Sequence, residues 1–194
     1  MDITRYLRYD TINMDIRTGQ GKKMDRTKLE NTLRGALTAK GLESPRYAIV
    51  VPIVYDEKDP QLLIEVRAEG IFQAGDPCFP GGKIEAGESP DEAAAREMEE
   101  ELGISARAKD FLGQLPTVHT PLGSRANVYV CMVSSEEAEE AVTNPAEVAV
   151  LLRVPLSFFL REPNASNYLV EGHNIWGMTA GAIRHLCHVW KRIF

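Results

Sequence analysis

The sequence predicts an α/β fold in which helices cover both faces of a mixed β-sheet, an α/β/α sandwich. Short apolar runs of strand length alternate with turn residues along the middle of the chain. Helical patterns lie near both ends, and a glycine turn leads into a third helix between the predicted strands. With 194 residues and 44% hydrophobic content, the chain can bury the core of one domain. We place this domain at residues 25–194.

The segment before the glycine turn predicts one helix and two strands. Leucine and alanine recur at helical spacing over residues 27–40, and Gly41 ends the pattern. Residues 46–55 and 61–67 are rich in isoleucine, valine and leucine, which predicts two buried strands. Residues 1–24 are polar with little periodicity, so we interpret them as an N-terminal extension that is disordered or tag-like.

The segment after the third helix predicts more strands and a final helix. Strand-like apolar residues dominate 111–118, 126–133 and 148–154. Residues 134–141 are acidic and predict a surface segment, whereas residues 175–191 predict a C-terminal helix.

The helix between the strands carries clear signals at both of its ends. Ser89 is a good N-cap, Pro90 suits the first helical position, and Glu92 completes a capping box. Gly103 can end the helix in a left-handed conformation. These signals predict a helix over residues 90–102.

Three carboxylates of this helix point to a metal site. Glu97, Glu100 and Glu101 are spaced by three and four residues, which places them on one helix face. Like charges at this spacing repel by about 0.2–0.5 kcal/mol per pair unless a counter-charge is present. Hard oxygen ligands suit Mg²⁺ or Mn²⁺, and Gly81 and Gly82 allow the backbone to approach a metal or a phosphate closely. A solvated acidic helix is the alternative, but it leaves the two glycines unexplained.

The same stretch fits a sequence pattern that extends over 23 residues. The defining positions are occupied by Gly82, Glu88, Arg96, Glu97, Met98, Glu100, Glu101, Gly103 and Ile104. The pattern resembles the Nudix box. The resemblance implies the Nudix fold and a hydrolase that cleaves a nucleoside diphosphate linked to another group, with Mg²⁺ or Mn²⁺ as cofactor. It also implies that Glu97, Glu100 and Glu101 bind metal and act in catalysis. Arg96 would pair with a box glutamate and orient it, and Glu88 would support the loop. Which glutamate acts as general base stays open.

Residues upstream of the box resemble one branch of that family, the coenzyme A pyrophosphatases. The matching residues are Leu63, Arg67, Ala68, Gly75, Phe79, Pro80, Gly81 and Gly82. Glu65 departs from the branch by replacing a threonine, and Phe72 takes the place of a second arginine. The interval from Ala68 to Phe79 is also one residue short. The later segments 144–148, 154–156 and 175–180 resemble the branch as well.

This second resemblance implies hydrolysis of coenzyme A or an acyl-CoA to 3′,5′-ADP and (acyl-)phosphopantetheine. The residues expected to contact substrate are Arg67, Phe79, Gly81, Gly82, Arg46 and Glu147. Arg46, or alternatively Arg125, is a candidate to bind the 3′-phosphate in place of the missing arginine.

Three other functions fit parts of the sequence. A Nudix enzyme specific for ADP-ribose, NADH or an oxidised nucleotide would share every metal ligand and differ in its pocket. A non-catalytic Nudix module that senses a ligand usually lacks box glutamates, which are intact here. An isoprenoid diphosphate isomerase would need a further cysteine or glutamate as proton donor.

Composition limits the expected partners and location. Residues 82–104 contain eight acids and two bases, which accounts for the net charge of −6, and no basic stripe for nucleic-acid phosphates is present. No apolar run approaches the roughly 18–20 residues that span a bilayer. We therefore expect a small-molecule substrate, neither nucleic acid nor membrane as partner, and a chain compatible with a homodimer. Three cysteines, with Cys78 interpreted as a packing residue, fit a reducing cytoplasm.

Overall fold

A mixed sheet of seven strands forms the centre of the protein in a computed structural model, which describes residues 25–107, 110–120 and 123–194. Its strands are β1 Tyr47–Val54, β2 Gln61–Arg67, β3 Pro77–Cys78, β4 Gly81–Lys83, β5 Gly113–His119, β6 Arg125–Val133 and β7 Val148–Pro155. Five of them follow the order β3-β2-β1-β6-β5, while β4 pairs with β1 and β7 pairs with β2. The β1–β6 pair is parallel and the other pairs of this sheet are antiparallel. The extension predicted at residues 1–24 lies outside the described residues.

Five helices and a small hairpin complete this part of the chain. The helices are α1 Arg26–Ala36, α2 Pro90–Leu102, α3 Ser135–Glu139, α4 Leu156–Arg161 and α5 Gly177–Ile193. The hairpin consists of β8 Tyr168–Val170 and β9 His173–Ile175. Within these described segments, no helix is long and apolar enough to cross a membrane.

The sheet separates two apolar cores, as the predicted α/β/α sandwich requires. One core contains Leu33 of α1 and Leu186 of α5, and the other contains Met98 of α2. Side chains of a strand alternate between faces. Accordingly, Ile64 of β2 packs in the first core and its neighbour Leu63 in the second.

The box helix α2 begins and ends where the sequence predicts. The Ser89 hydroxyl accepts a hydrogen bond from the backbone of Glu92, and the Glu92 carboxylate accepts one from the backbone of Ser89. Gly103 caps the other end with a φ of 67°, in the left-handed region that favours glycine. The predicted bounds of 90–102 are confirmed.

Several other bounds differ from the predictions for local reasons. Helix α1 ends at Ala36 instead of residue 40, and Thr38 beyond it forms a parallel bridge with Gln114. Helix α5 begins at Gly177, because Ile175 belongs to the hairpin. The acidic segment 134–141 contains the short helix α3, which a capping box at Ser134 starts.

The path of the chain between β2 and α2 brings the box to the sheet. Strand β1 pairs with β2 only at Ile53–Leu62 and Val54–Gln61. Beyond these two pairs, β1 bonds instead to β4, with Ile49 opposite Gly81. The glycine turn therefore lies inside the sheet, directly beneath the helix that carries the predicted metal ligands.

Candidate active site

Gly81 and Gly82 make room for the carboxylates of α2. A Cβ on Gly82 would overlap the carboxylate of Glu97, and a Cβ on Gly81 would lie 2.5 Å from the carbonyl oxygen of Ala48. The amide of Gly81 donates a hydrogen bond of 2.8 Å to Oε2 of Glu101. The carboxylates of Glu97 and Glu101 and strand β1 therefore lie close to these two glycines. Binding of a metal or phosphate beside the glycines stays a prediction.

Arg96 is the cation that holds the box acids together. It donates from Nε and Nη2 to the two carboxylate oxygens of Glu88, at 2.9 and 3.2 Å, in a forked pair. Its Nη1 donates to Glu97 and to Glu100, at 2.9 Å each. The hydrogen bonds from Arg96 lower the pKa of the Glu88 carboxyl below its ordinary value. Arg96 therefore pairs with Glu88 and with two of the predicted metal glutamates.

The predicted metal glutamates differ in depth. Glu101 is 3% exposed and lies deepest, Glu97 is half-buried, and the side chain of Glu100 is 53% exposed. Burial raises the pKa of Glu97 despite its bond to Arg96. Burial, followed by the negative charge of Glu65, raises the pKa of Glu101 to about 9. The inner part of the site is thus short of positive charge.

Glu65 of β2 also belongs to this site. From the sequence it was noted only because it replaces a threonine of the coenzyme A pyrophosphatase pattern. It shares the face of Leu63, towards α2, because it alternates with Ile64. The residue is 1% exposed, and burial raises its pKa to about 7. A single acid inside an otherwise apolar strand is the sequence signal that could have identified it.

Glu147 reaches the same region from the loop before β7. Asn144 donates from its backbone to the carbonyl of Glu101, at 2.9 Å, and from its side-chain amide to Oε1 of Glu147, at 2.9 Å. The charge of Glu147 contributes to the raised pKa of Glu97, Glu101 and Glu65. Asn144 thus links the end of α2 to Glu147, a contact that the sequence did not indicate.

The other predicted substrate residues occupy different surroundings. Arg67 is half-buried beside the site, where it donates to the carbonyl of Phe72 at 2.9 Å and to the Cys78 sulfur at 3.7 Å. Arg46 is exposed and lies over the ring of Tyr47, 5.5 Å from its centroid. Phe79 packs in the core and leaves 3% of its surface exposed, so it presents almost nothing to a ligand.

The donor set suits a hard divalent cation. It consists of carboxylate oxygens, and within the described part of the chain Oε2 of the buried Glu65 has no hydrogen-bond partner. No group of three or more acidic, histidine or cysteine side chains within residues 25–107, 110–120 and 123–194 already surrounds one ion position. Of the three predicted metal glutamates, Arg96 binds Glu97 and Glu100, and the amide of Gly81 binds Glu101. Binding of an ion therefore requires some of these side chains to reorient.

A family model decides the identity of the fold and the box. The model described as the NUDIX domain matches residues 44–168, which is more than half of the chain. The chain belongs to the Nudix family. This Nudix domain includes β2, the glycine turn, α2 and Glu147, so the whole carboxylate cluster lies inside it.

Relatives support the same conclusion. The chain is 32% identical over 179 residues to a protein from Yersinia enterocolitica named Uncharacterized Nudix hydrolase NudL, covering 84% of this chain and 89% of the relative. A protein of the same name from Cronobacter sakazakii is 31% identical over 170 residues, which cover 79% and 87% of the two chains. The protein is accordingly an enzyme, a Nudix hydrolase, and Nudix hydrolases generally use divalent metal ions.

Solved structures confirm the fold. The NUDIX domain of Shewanella oneidensis NrtR, in complex with ADP ribose, has a TM-score of 0.56 at 17% identity and covers 79% of this chain and 91% of that chain. An Ap4A hydrolase from C. elegans has a TM-score of 0.54 at 12% identity, with coverage of 75% and 98%.

Replacing either inner box glutamate should remove activity without unfolding the protein. We expect Glu97→Gln and Glu101→Gln each to lower kcat by at least about 100-fold, because each removes a charged oxygen from the cluster. The free energy of unfolding in urea should stay the same or rise slightly, since carboxylate crowding is relieved. Glu99→Gln, on an exposed position of the same helix, is the matched control and should keep full activity. Near wild-type turnover of either site variant at saturating metal would show that the ligand assignment is wrong.

The metal-free protein should lose stability as the pH rises from 7 to 9. The pKa of Glu101 is raised in the fold to about 9, so the folded state keeps a proton that the unfolded state has released. This contribution is complete below the ordinary carboxyl pKa and disappears as the pH passes the folded pKa. We expect urea unfolding with a chelator to give a free energy that falls by up to about 1.4 kcal/mol per pH unit. Glu101→Gln should make the free energy of unfolding less dependent on pH in this range. An equally steep fall in that variant would show that Glu101 is not the group responsible.

Proposed function

We propose that the protein is a pyrophosphatase of coenzyme A or acyl-CoA. Water attacks one phosphorus of the diphosphate, and a new phosphorus–oxygen bond forms. The bond from that phosphorus to the bridging oxygen breaks, and the bridging oxygen leaves with the other phosphate. One water is consumed, and the products are 3′,5′-ADP and (acyl-)phosphopantetheine.

The observation that carries this proposal is the convergence of the segments that resemble the coenzyme A branch. The carbonyl of Glu147 accepts a 2.8 Å hydrogen bond from the amide of Ala68. Trp176 donates from its indole nitrogen to Asp76, at 3.1 Å. Segments far apart in sequence are thus joined around one side of the box, as expected if they serve one substrate.

In this proposal, different residues of the site bind the metal, activate the water and bind the phosphate. Glu97, Glu101 and, nearer to solvent, Glu100 would hold Mg²⁺ or Mn²⁺. Such an ion would neutralise charge on the diphosphate and make the attacking water more acidic. One of the cluster carboxylates, with Glu147 among the candidates, would accept the proton of that water. Arg67 lies beside the cluster, where its guanidinium can be redirected to a phosphate oxygen.

The missing second arginine of the branch makes recognition of the 3′-phosphate the main specificity question. Phe72, which takes that position, is 81% exposed. Positive charge is available at the start of β1, where the amide of Arg46 donates to the carbonyl of Arg125 and both side chains are exposed. Lys83 of β4 pairs with Tyr47 and is exposed as well. We assign the 3′-phosphate to this basic edge, with Arg46 as its main ligand.

Hydrolysis of ADP-ribose or NADH is the alternative that the missing arginine favours. Neither substrate carries a 3′-phosphate, so neither needs the additional cation. The NrtR domain of the same fold binds ADP ribose. A ligand-sensing module without catalysis is a weaker alternative, since Glu97, Glu100 and Glu101 are all present.

Product analysis separates these functions. The purified protein is incubated with coenzyme A, acetyl-CoA, ADP-ribose and NADH, each with Mg²⁺ and with Mn²⁺. We expect 3′,5′-ADP from coenzyme A in clear preference to products of the other substrates. Glu101→Gln serves as the blank for contaminating activity. Preferred turnover of ADP-ribose or NADH would discard the coenzyme A assignment and keep the hydrolase chemistry, and an absence of turnover would favour the sensing module.

Arg46→Gln should affect substrates according to their 3′-phosphate. Loss of a charged hydrogen bond costs about 1.5–3 kcal/mol, so KM for coenzyme A should rise about tenfold or more. KM for 3′-dephospho-CoA, which lacks the group, should stay unchanged, as should kcat for both substrates. Lys191→Gln, an exposed charge on the last turn of α5, is the control. An equal rise in KM for both substrates would place Arg46 elsewhere on the substrate, and no rise would remove it from the site.

A further inference from the structure

Glu65 has one oxygen that the fold uses and one that it leaves free. The Cys78 thiol donates to Oε1 at 3.0 Å, across the antiparallel pair of β2 and β3. Oε2 is buried and has no hydrogen-bond partner among the residues that the structure describes. With the whole residue 1% exposed, water does not solvate this oxygen freely. A buried carboxylate oxygen without a partner is unfavourable, and such an atom calls for an explanation.

The Glu65 carboxylate lies close enough to the other acids of the site for their charges to act on one another. After burial, the charge of Glu65 is the largest cause that raises the pKa of Glu101. Charges of Glu147 and Glu97 act on Glu65 in turn. The positive charge of Arg67 acts on Glu65, but its guanidinium bonds to the Cys78 sulfur and to the carbonyl of Phe72. No arginine or lysine within the described residues donates a hydrogen bond to Glu65 itself.

The contact with Cys78 occupies one oxygen of the carboxylate and leaves the other available to a ligand. Glu65 lies on the sheet face of Leu63, which packs in the same core as α2, the helix that carries Glu101. A packing role alone would be served better by an uncharged side chain of similar size, since an ionised carboxylate must be neutralised in this place. A cation next to Oε2 would complete its coordination and balance the charge of its neighbours.

We propose that Glu65 is a metal ligand of this enzyme in addition to the box glutamates, binding a divalent cation through Oε2 while Cys78 holds Oε1. The inference rests on the metal-dependent hydrolase function proposed above. It assigns to a residue of strand β2, outside the box, a share in binding the ion. The chain has thereby exchanged the threonine of the resembling branch for a charged ligand.

The test is to measure how tightly Mn²⁺ binds to the metal-free protein. Binding is monitored as a decrease in the electron paramagnetic resonance signal of the free ion. Glu65→Gln keeps the size of the side chain and an oxygen that can accept from Cys78. We expect this variant to weaken the binding of at least one Mn²⁺ by about tenfold or more. The rise in melting temperature that Mn²⁺ causes should shrink in parallel. The metal-free variant should melt at or above the wild-type temperature, which shows that it is folded.

Three further variants give each outcome a single meaning. Glu69→Gln, an exposed acid just beyond the same strand, should bind Mn²⁺ like wild type. Cys78→Ala keeps the Glu65 carboxylate and should reduce affinity less than Glu65→Gln. An equal loss in both would make Glu65 a packing partner of Cys78, and unchanged binding in Glu65→Gln would likewise overturn the proposal. If both Glu65→Gln and Glu101→Gln bind Mn²⁺ like wild type, the metal site itself has been misplaced. If only Glu101→Gln loses Mn²⁺ affinity, the role of Glu65 is refuted and the metal site stands.

Discussion

The organisation of this site depends on the repulsion between carboxylates that the fold brings together in a poorly solvated place. Arg96 relieves this repulsion for Glu88, Glu97 and Glu100, whereas the Glu101 carboxylate accepts its hydrogen bond from the uncharged amide of Gly81. The inner acids remain short of positive charge, which is why burial and mutual repulsion raise their pKa values. A divalent cation would supply the positive charge that these acids lack. The cluster of carboxylates therefore suits the binding of such an ion.

The sheet supports this arrangement by its irregularity. If β1 and β2 were paired along their whole length, the glycine turn could not lie between them and Gly81 could not reach Glu101. The separation of the two strands also leaves Glu65 facing α2 beside a two-residue strand rather than beside β1. The incomplete pairing of β1 and β2, which would weaken an ordinary sheet, thus makes room for the glycine turn beneath the carboxylates of α2.

The sequence was sufficient to predict what depends on local chemistry. The bounds of α2 follow from Ser89, Glu92 and Gly103, and periodicity located the long strands. Strands of two or three residues, such as β3 and β4, are too short to carry a period, and the pairing of β4 with β1 is a long-range choice. In the site, spacing predicted that Glu97, Glu100 and Glu101 share one helix face, but it could not show that Glu100 is more exposed or that Glu65 faces the same core as α2. Phe79 was expected at the substrate because a motif contains it, whereas its burial shows that a motif residue can serve the core.

Trp176, which donates a hydrogen bond to Asp76, can serve as a fluorescence probe of the candidate site. The chain has two tryptophans; Trp176 is 42% exposed beside the loop that carries Phe72, and Trp190 is 2% exposed in the core. An exposed indole emits at longer wavelength than a buried one, so the long-wavelength side of the fluorescence spectrum belongs mainly to Trp176. The protein therefore contains an intrinsic fluorophore at the edge of its candidate site. A change in the surroundings of this indole on addition of substrate can be followed in real time without attaching a dye.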